Sequence, residues 1–396
     1  MILDSIEAGA GSLDEIAGAS GGMYPSTLQP LLAELSTERL IYRVAGRYRV
    51  RTAQQTDRVA PTLCVLPSSL PLPHPCDCDW RFQDSAAKYL AATITKASPR
   101  SAPVLLIGAP RLFVELTAMS ETSHVYLLDS NRELIETVNN EPLPPHFHAI
   151  YHDLTNFGPS PIPEAVGVVF CDPPWYPEYY DSFLAHASLF VELGGKVFVS
   201  LLPALTRPGA WQDRWQLLAS ANALGLHVES LTIGVVRYET PLFEHRSLAR
   251  EGITVGDCWR AADLLLLRKY AEPNAEAIER IQRAVATSLE HTAWLDILIK
   301  GRKLKLRLPL DAPDEPPVLI RIEQDDVLPT VSRRYPGRDL VDLWLWDNRV
   351  FGARGRASLW AALNSIAGKP TRDPSVPDPL IRRALDILLP LVGGAT

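Results

Sequence analysis

The sequence predicts an α/β protein, built on a mostly parallel sheet with helices on both faces. Three observations carry this. Between about residues 80 and 270, short apolar runs bounded by turns alternate with helical stretches, the pattern left by crossover connections between parallel strands. Residues 2–50 run instead as helix, helix, helix, β-hairpin. Beyond residue 273 the texture changes to short strands and compact helical segments, an α+β unit. A chain of 396 residues has room for two or three domains at roughly 100–200 residues each.

In the first segment, Ile2, Leu3 and Ile6 give one apolar face, and Ser12 caps a second helix with Glu15 at the capping-box position. Gly21-Gly22 makes a turn, and residues 24–40 carry Leu28, Leu31, Leu32 and Leu35 at helical spacing. Alternating runs 41–44 and 47–50 flank Ala45-Gly46 as a hairpin. This is the order of a winged helix, expected over residues 1–58. One reading is duplex contact through residues 24–39 and the wing arginines Arg43, Arg47 and Arg49. The other is a dimerisation or packing module. Glu34 and Glu38 beside Arg39 favour the second, because phosphate contact needs several cations.

Residues 59–79 hold Pro61, Pro67, Pro71, Pro73 and Pro75 and read as an extended linker. Within it His74, Cys76 and Cys78 lack the paired spacing of a zinc site, so no metal is expected. From 80 to 272, strands are expected at 104–107, 125–128, 149–152, 166–171, 195–202 and 264–268, and helices at 86–94, 132–139, 179–191 and 211–224. The last unit, 273–396, is expected to hold a helix over 274–299, strands at 304–310 and 318–323, apolar segments at 340–346 and 358–366, and a terminal helix over 380–389.

The sharpest motif is Asp172-Pro173-Pro174-Trp175, directly after the apolar run Gly167-Val168-Val169-Phe170-Cys171. A carboxylate at a strand's carboxyl end accepts a hydrogen bond from a target N–H, and a carbonyl before or between the prolines accepts a second. The prolines remove donors and stiffen this acceptor array. The Trp175 ring offers a face for a planar base or an amine. Asp129 closes the run Val125-Tyr126-Leu127-Leu128, where the ribose of a nucleoside cofactor is held in folds of this kind. His152-Asp153-Leu154 closes another, in position to meet an adenine amino group. The order strand, Asp129, strand, Asp153, strand, Asp172 is that of a class I S-adenosylmethionine methyltransferase.

With Asp79-Trp80-Arg81-Phe82-Gln83-Asp84-Ser85 and the loop Gly108-Ala109-Pro110-Arg111, these motifs resemble the N6-adenine-type methyltransferase family, which also contains elongation-factor lysine methyltransferases. The resemblance implies a Rossmann-like sheet and S-adenosylmethionine bound by Gly108, Ala109, Pro110, Asp129, Asp153 and Leu154. It implies a catalytic Asp172, Pro173, Pro174 and Trp175, and an acceptor lined by Trp80, Phe82, Tyr176 and Tyr179. The layout of winged helix, linker cysteines and Asp-Pro-Pro loop also looks like the branched-chain polyamine synthases. Those carry an acidic run after the first-loop glycine, where this chain has Ala109-Pro110-Arg111. Residues beyond about 270 fall outside both resemblances.

The expected activity is methyl transfer to an amino nitrogen, with the exocyclic amine of adenine in nucleic acid as acceptor. Protein lysine, a polyamine and a non-catalytic regulatory role are the alternatives. Lys+Arg 39 against Asp+Glu 46 gives a net charge of −7, which excludes indiscriminate coating of nucleic acid. Local clusters remain for nucleic acid: Arg302, Lys303, Lys305 and Arg307; Arg333, Arg334 and Arg338; Arg349, Arg354 and Arg356. Tyr335, Trp344, Trp346 and Trp360 are interleaved with them, the two middle ones expected in the core. A protein substrate and a homodimer are the other partners the sequence allows. Five Cys, no basic n-region at the start and no long apolar run predict a cytoplasmic protein without a signal peptide or membrane span.

Overall fold

The computed structural model describes residues 1–38, 40–50, 70–98, 102–119, 123–288, 293–369 and 375–393. Arg39, Pro61, Pro67, Leu289 and the 58/59 boundary lie outside them. The chain divides into two compact units. The first is Met1–Leu70, Trp80–Thr240 and Val255–Glu290; the second is Pro71–Asp79, Pro241–Thr254 and His291–Thr396.

The first unit opens with α1 (Ile2–Glu7), α2 (Leu13–Ala19) and α3 (Pro25–Thr37), then the antiparallel pair β1 (Ile41–Val44) and β2 (Arg47–Val50). The Ser12–Glu15 capping box is formed, satisfying amides that the first turn of α2 leaves without helical partners. Leu28 and Leu32 are buried, whereas Ser26, Thr27, Gln29 and Glu34 on α3, and Glu38 at its C-cap, are exposed. The free face of α3 therefore presents carboxylates and no described cation. Of the hairpin arginines, Arg47 is paired with Glu15 and Arg43 lies over Tyr48.

The sheet domain follows as α4 (Asp84–Ala97), β3 (Val104–Ile107), α5 (Pro110–Thr117), β4 (Val125–Asp129), α6 (Arg132–Asn139), β5 (Phe147–Tyr151), β6 (Val166–Cys171), α7 (Pro177–Phe190), β7 (Val191–Leu201), α8 (Ala210–Ala223) and β8 (Leu226–Arg237). The chain then runs through α9 (Leu242–Arg250), which belongs to the second unit, before β9 (Ala261–Lys269) and α10 (Ala275–Ser288) complete the first. The strands lie in the order β5-β4-β3-β6-β7-β9-β8. The first five are parallel, β9 runs antiparallel to β7, and β8 antiparallel to β9. Strands β3 and β6 are buried along their whole length, as parallel strands covered by helices on both faces must be. Sequence order reverses between β3 and β6, so the crevice past their carboxyl ends is the place for a ligand. Neither β8 nor α5 is among the expected elements. Strand β8 sits at the sheet edge with most of its residues exposed, so it lacks the continuous apolar run that marks the inner strands.

In the second unit, β10 (Trp294–Ile299), β11 (Arg302–Arg307), β12 (Val318–Arg321), β13 (Leu343–Leu345) and β14 (Val350–Arg354) form an antiparallel sheet. It shares a core with α11 (Arg356–Ile366) and α12 (Asp378–Gly393), through Leu304, Leu343, Leu359 and Leu388 among others. The helix expected over 274–299 is replaced at its end by β10, whose Ile297 and Ile299 face the core while Asp296 and Leu298 are exposed, the alternation of a strand.

Two segments are built into this unit from far away in sequence. Ser247 on α9 donates to the Leu328 carbonyl and accepts from Asn348 Nδ2. The 71–79 part of the expected linker is likewise a structural piece of the unit. Asp77 pairs with Lys303 at 2.9 Å and Lys305 at 2.8 Å, and these lysines are 3% and 8% exposed. Both nitrogens of the buried His74 ring are engaged: Nδ1 accepts from the Cys76 amide, so Nε2 carries the hydrogen donated to the Trp344 carbonyl. That leaves no imidazole lone pair for a metal.

The cationic clusters expected to meet nucleic acid are thus largely spent inside the unit. Besides the two lysines, Arg307 and Arg356 pair with Asp342, Arg356 also with Asp311, and Arg349 with Asp347. Arg338 and Arg302 lie over Trp344 and Trp346. Counter-charges dispersed in sequence converge on them, which the spacing of the cations alone does not reveal. Among the described residues, no helix is long and apolar enough to cross a membrane.

Burial holds His74 neutral, lowering its pKa to about 3, so the unfolded chain takes up a proton below about pH 6.5 that the folded chain refuses. Its contribution to stability is therefore complete above that pH and shrinks as pH falls toward 3, by up to about 1.4 kcal/mol per pH unit. Urea unfolding should show the native chain losing about 2 kcal/mol more than His74→Gln between pH 6.5 and pH 5. Parallel pH profiles for the two proteins would show that His74 is charged in the fold.

Candidate functional site

Strands β3 and β6 pair with Ile107 opposite Cys171, so the residues that follow them, Gly108 and Asp172, emerge side by side at the switch point. The Asp172 amide donates to the Ile107 carbonyl at 3.0 Å, and the Gly108 amide to Leu128 at 2.9 Å. Gly108 has φ +67°, and a Cβ there would lie 3.1 Å from the Asp172 carbonyl oxygen and 3.1 Å from the Phe183 ring. The position requires glycine for both backbone conformation and space. Ala109 is buried, and Pro110 opens α5 at a position that needs no amide donor.

Asp172 is held from two sides. Tyr238 donates its hydroxyl to Oδ1 at 2.6 Å, and Ser200, near the end of β7, donates to the same oxygen. Burial, followed by the nearby Asp172 charge, pushes the Tyr238 phenol well above its ordinary value, so it stays protonated and donates. Tyr180 is fixed between the Ser200 carbonyl and the Leu202 amide. In the loop, the Pro174 carbonyl is taken by the Tyr176 amide at 2.7 Å, and no donor among the described residues engages the Pro173 carbonyl. The loop thus presents a fixed Asp172 carboxylate and, among the described residues, a Pro173 carbonyl without a donor.

Tyr238 reaches Asp172 because residues at and just past the end of β8 pair with the segment before α4. Gln83 donates to Arg237, Glu239 donates to Arg81, and Phe82 and Tyr238 form an antiparallel bridge. Phe82, expected to contact substrate, is 1% exposed and packs on Phe170 and Tyr238, so its ring is part of the sheet core. Trp175 is 7% exposed. Its face is covered by the Arg260 guanidinium at 3.7 Å from the ring centre, so the ring expected to stack on the acceptor holds an arginine instead. Trp80 lies 4.0 Å from the same guanidinium. Tyr176 and Tyr179 are half-buried, 6.3 Å apart between ring centres, and keep part of their faces open.

The residues expected to face the nucleoside also fall at strand ends. Asp129 ends β4 and accepts from the Asn131 amide at 2.8 Å; Asp153 follows β5 and accepts from the Thr155 amide at 2.9 Å. Leu154 is buried in the core, and its carbonyl accepts from Ser182. His152 is kept neutral by burial and by His186, and its buried Nε2 has no partner among the described residues.

Arg111, the cation of the first loop, is buried and pairs with Asp84 at 2.6 Å and Glu115 at 3.2 Å. Burial, and then Asp84, lift Glu239 to a pKa of about 6 despite Arg111 and Arg81. Arg111 Nε and Glu239 Oε1 are buried without partners among the described residues. A side-chain-free cradle at Gly108, carboxylates at the ends of β4 and β5, and unsatisfied polar atoms of both charges suit a nucleoside with a zwitterionic tail.

Ser200, Tyr238, Glu239 and Arg260 are not among the expected site residues. Ser200 had a signal, a hydroxyl inside the apolar run 197–202. The other three lie on segments whose pairing depends on the edge strand.

Residues 80–194 match a family model described as "Probable N6-adenine methyltransferase". Among solved structures, the chain is similar to the branched-chain polyamine synthase from Thermus thermophilus in complex with N4-aminopropylspermidine and 5′-methylthioadenosine. The two share 17% identity at a TM-score of 0.51, over 70% of this chain and 88% of that one. A C9 mutein of that synthase gives 18% identity and a TM-score of 0.50, over 70% and 87%. At such identity the likeness is one of fold. No curated protein matches the chain. The central domain is that of an S-adenosylmethionine-dependent methyltransferase, on a Rossmann-like sheet.

Two substitutions test this geometry. Gly108→Ala should strain the backbone by about 1–2 kcal/mol and press on the Asp172 carbonyl, weakening S-adenosylmethionine binding at least about tenfold in calorimetry. Unchanged affinity would mean that the loop relaxes without cost. Tyr238→Phe should lower kcat by about 10- to 100-fold, the worth of one hydrogen bond to a charged group, with cofactor affinity retained.

Proposed function

We propose that the chain is an N-methyltransferase whose acceptor is the exocyclic amine of adenine in nucleic acid. The observation that carries this reading is the acceptor pair at the switch point. The Asp172 carboxylate is fixed by Tyr238 and Ser200, beside a Pro173 carbonyl that no described donor engages. A primary aromatic amine has two N–H bonds to place, and this pair receives both. S-adenosylmethionine, when bound, supplies a methyl group already activated on sulfonium. Little acid–base chemistry is then left to the protein, whose task is to orient the nitrogen lone pair. Gly108, Asp129 and Asp153 are the residues to hold the cofactor, and Tyr176 and Tyr179 offer faces on which a base stacks.

The acceptor base is an unpaired or flipped one. The exposed face of α3 carries carboxylates, and the second unit's cations are mostly paired, so the described residues offer no broad basic groove to hold duplex by its phosphates. The polyamine reading is weakened by Arg111 and Arg260 near the loops where an acidic polyamine site would lie. An aliphatic ammonium also needs deprotonation before attack, and an arginine beside the acceptor loop repels it until then.

Labelled S-adenosylmethionine incubated with the protein and separate pools of RNA, single-stranded DNA and cellular protein tests the reading. Label is expected in adenine of one nucleic acid pool, falling about 100- to 1000-fold with Asp172→Ala. Label confined to protein would replace this reading with lysine methylation. Failure of calorimetry to detect cofactor binding would replace it with a non-catalytic role.

A further inference from the structure

Arg260 stands apart from every other cation described near the acceptor loop. Arg111, Arg207 and Arg214 all pair with carboxylates. Arg260 makes no side-chain hydrogen bond or ion pair with any described residue; it is held by aromatic rings alone, with Trp80 at 4.0 Å and Trp175 at 3.7 Å. Stacking uses the faces of a guanidinium and leaves its N–H donors, all in the plane, without acceptors. The side chain is also held rigidly. Trp175 belongs to the Asp-Pro-Pro-Trp loop and abuts Tyr238, the donor to Asp172. Trp80 packs edge-on against Trp259, the residue before Arg260, and Trp259 packs against Tyr24 of the N-terminal module. Asp14 of the same module accepts from the Gly256 amide at 3.0 Å, and the Tyr238 amide donates to the Arg260 carbonyl. Three separate segments thus converge to fix one unpaired cation beside the acceptor site.

We propose that Arg260 is the specificity residue of the acceptor site, binding a phosphate of the acceptor nucleotide through its in-plane donors. The proposal rests on the reading of adenine in nucleic acid and deepens it, since it names the anionic part of the acceptor that the enzyme reads. A planar fork matches two phosphate oxygens, and its orientation by the two indoles spares most of the entropy that a free arginine loses on binding. The same charge disfavours spermidine-like cations.

The test is a binding ratio, with the full chain saturated with S-adenosylhomocysteine so that nucleotides compete only for the acceptor site. Adenosine 5′-monophosphate is expected to bind at least about tenfold more tightly than adenosine. In Arg260→Gln that ratio should fall to near one while adenosine affinity stays within about threefold, a pattern that loss of packing would not give because it would weaken both ligands. Arg260→Lys should recover part of the ratio. A ratio near one in the native protein, an undiminished ratio in Arg260→Gln, or spermidine binding as tightly as the monophosphate would each overturn the proposal. The labelling experiment judges the adenine reading separately. Label in protein together with the expected ratio would remove the adenine reading and leave a phosphate-selective Arg260, and label in adenine with a ratio near one would do the reverse.

Discussion

The whole site depends on one backbone contact, the approach of Gly108 to the Asp172 carbonyl at the switch point of the sheet. Parallel pairing of β3 with β6 sets the register, and absence of a side chain at Gly108 lets the two loops close on each other. Because the Gly108 and Asp172 loops share this contact, the distance between them is set by main chain in two buried strands. Side-chain rotamers then need only refine it.

Around that contact the protein adds orientation in layers. Ser200 and Tyr238 arrive from the other side of β6 and act on the same oxygen of Asp172. Tyr238 is in turn placed by the short ladder between residues 81–83 and 237–239. The N-terminal module reaches the same region through Gly22, which has no room for a side chain against Pro203, and through Asp14 and Tyr24. Its position against the sheet domain accords with a packing role and gives it a share in fixing segment 255–260.

Much of this was legible from residue pattern. Inner strands β3, β4 and β6 announce themselves because burial on both faces forces continuous apolar runs, and the Asp-Pro-Pro-Trp loop follows the last of them. Helix α6 was expected with the bounds it has. Edge strand β8 was not, since solvent on one side relaxes its composition, and Tyr238 was lost with it. Phe82 and Trp175 illustrate a different limit: an aromatic residue next to a functional motif reads the same whether it faces substrate or supports the residue that does. The basic clusters of the second unit show a third. Asp77 and Lys303 lie 226 positions apart, so a run of cations looks exposed until its distant counter-charge is brought to it.

The segments Pro71–Asp79 and Pro241–Thr254 have a consequence for how this architecture can be inherited or dissected. The chain passes from one unit to the other five times, so no single break separates them. A fragment beginning after residue 290 would keep Lys303 and Lys305 yet leave behind the Asp77 carboxylate that makes their burial tolerable. It would also lose the Ser247 hydroxyl that completes the hydrogen bonding of Asn348. The second unit is therefore woven through the chain, and exchange by simple terminal fusion, the ordinary route by which proteins trade modules, is closed to it.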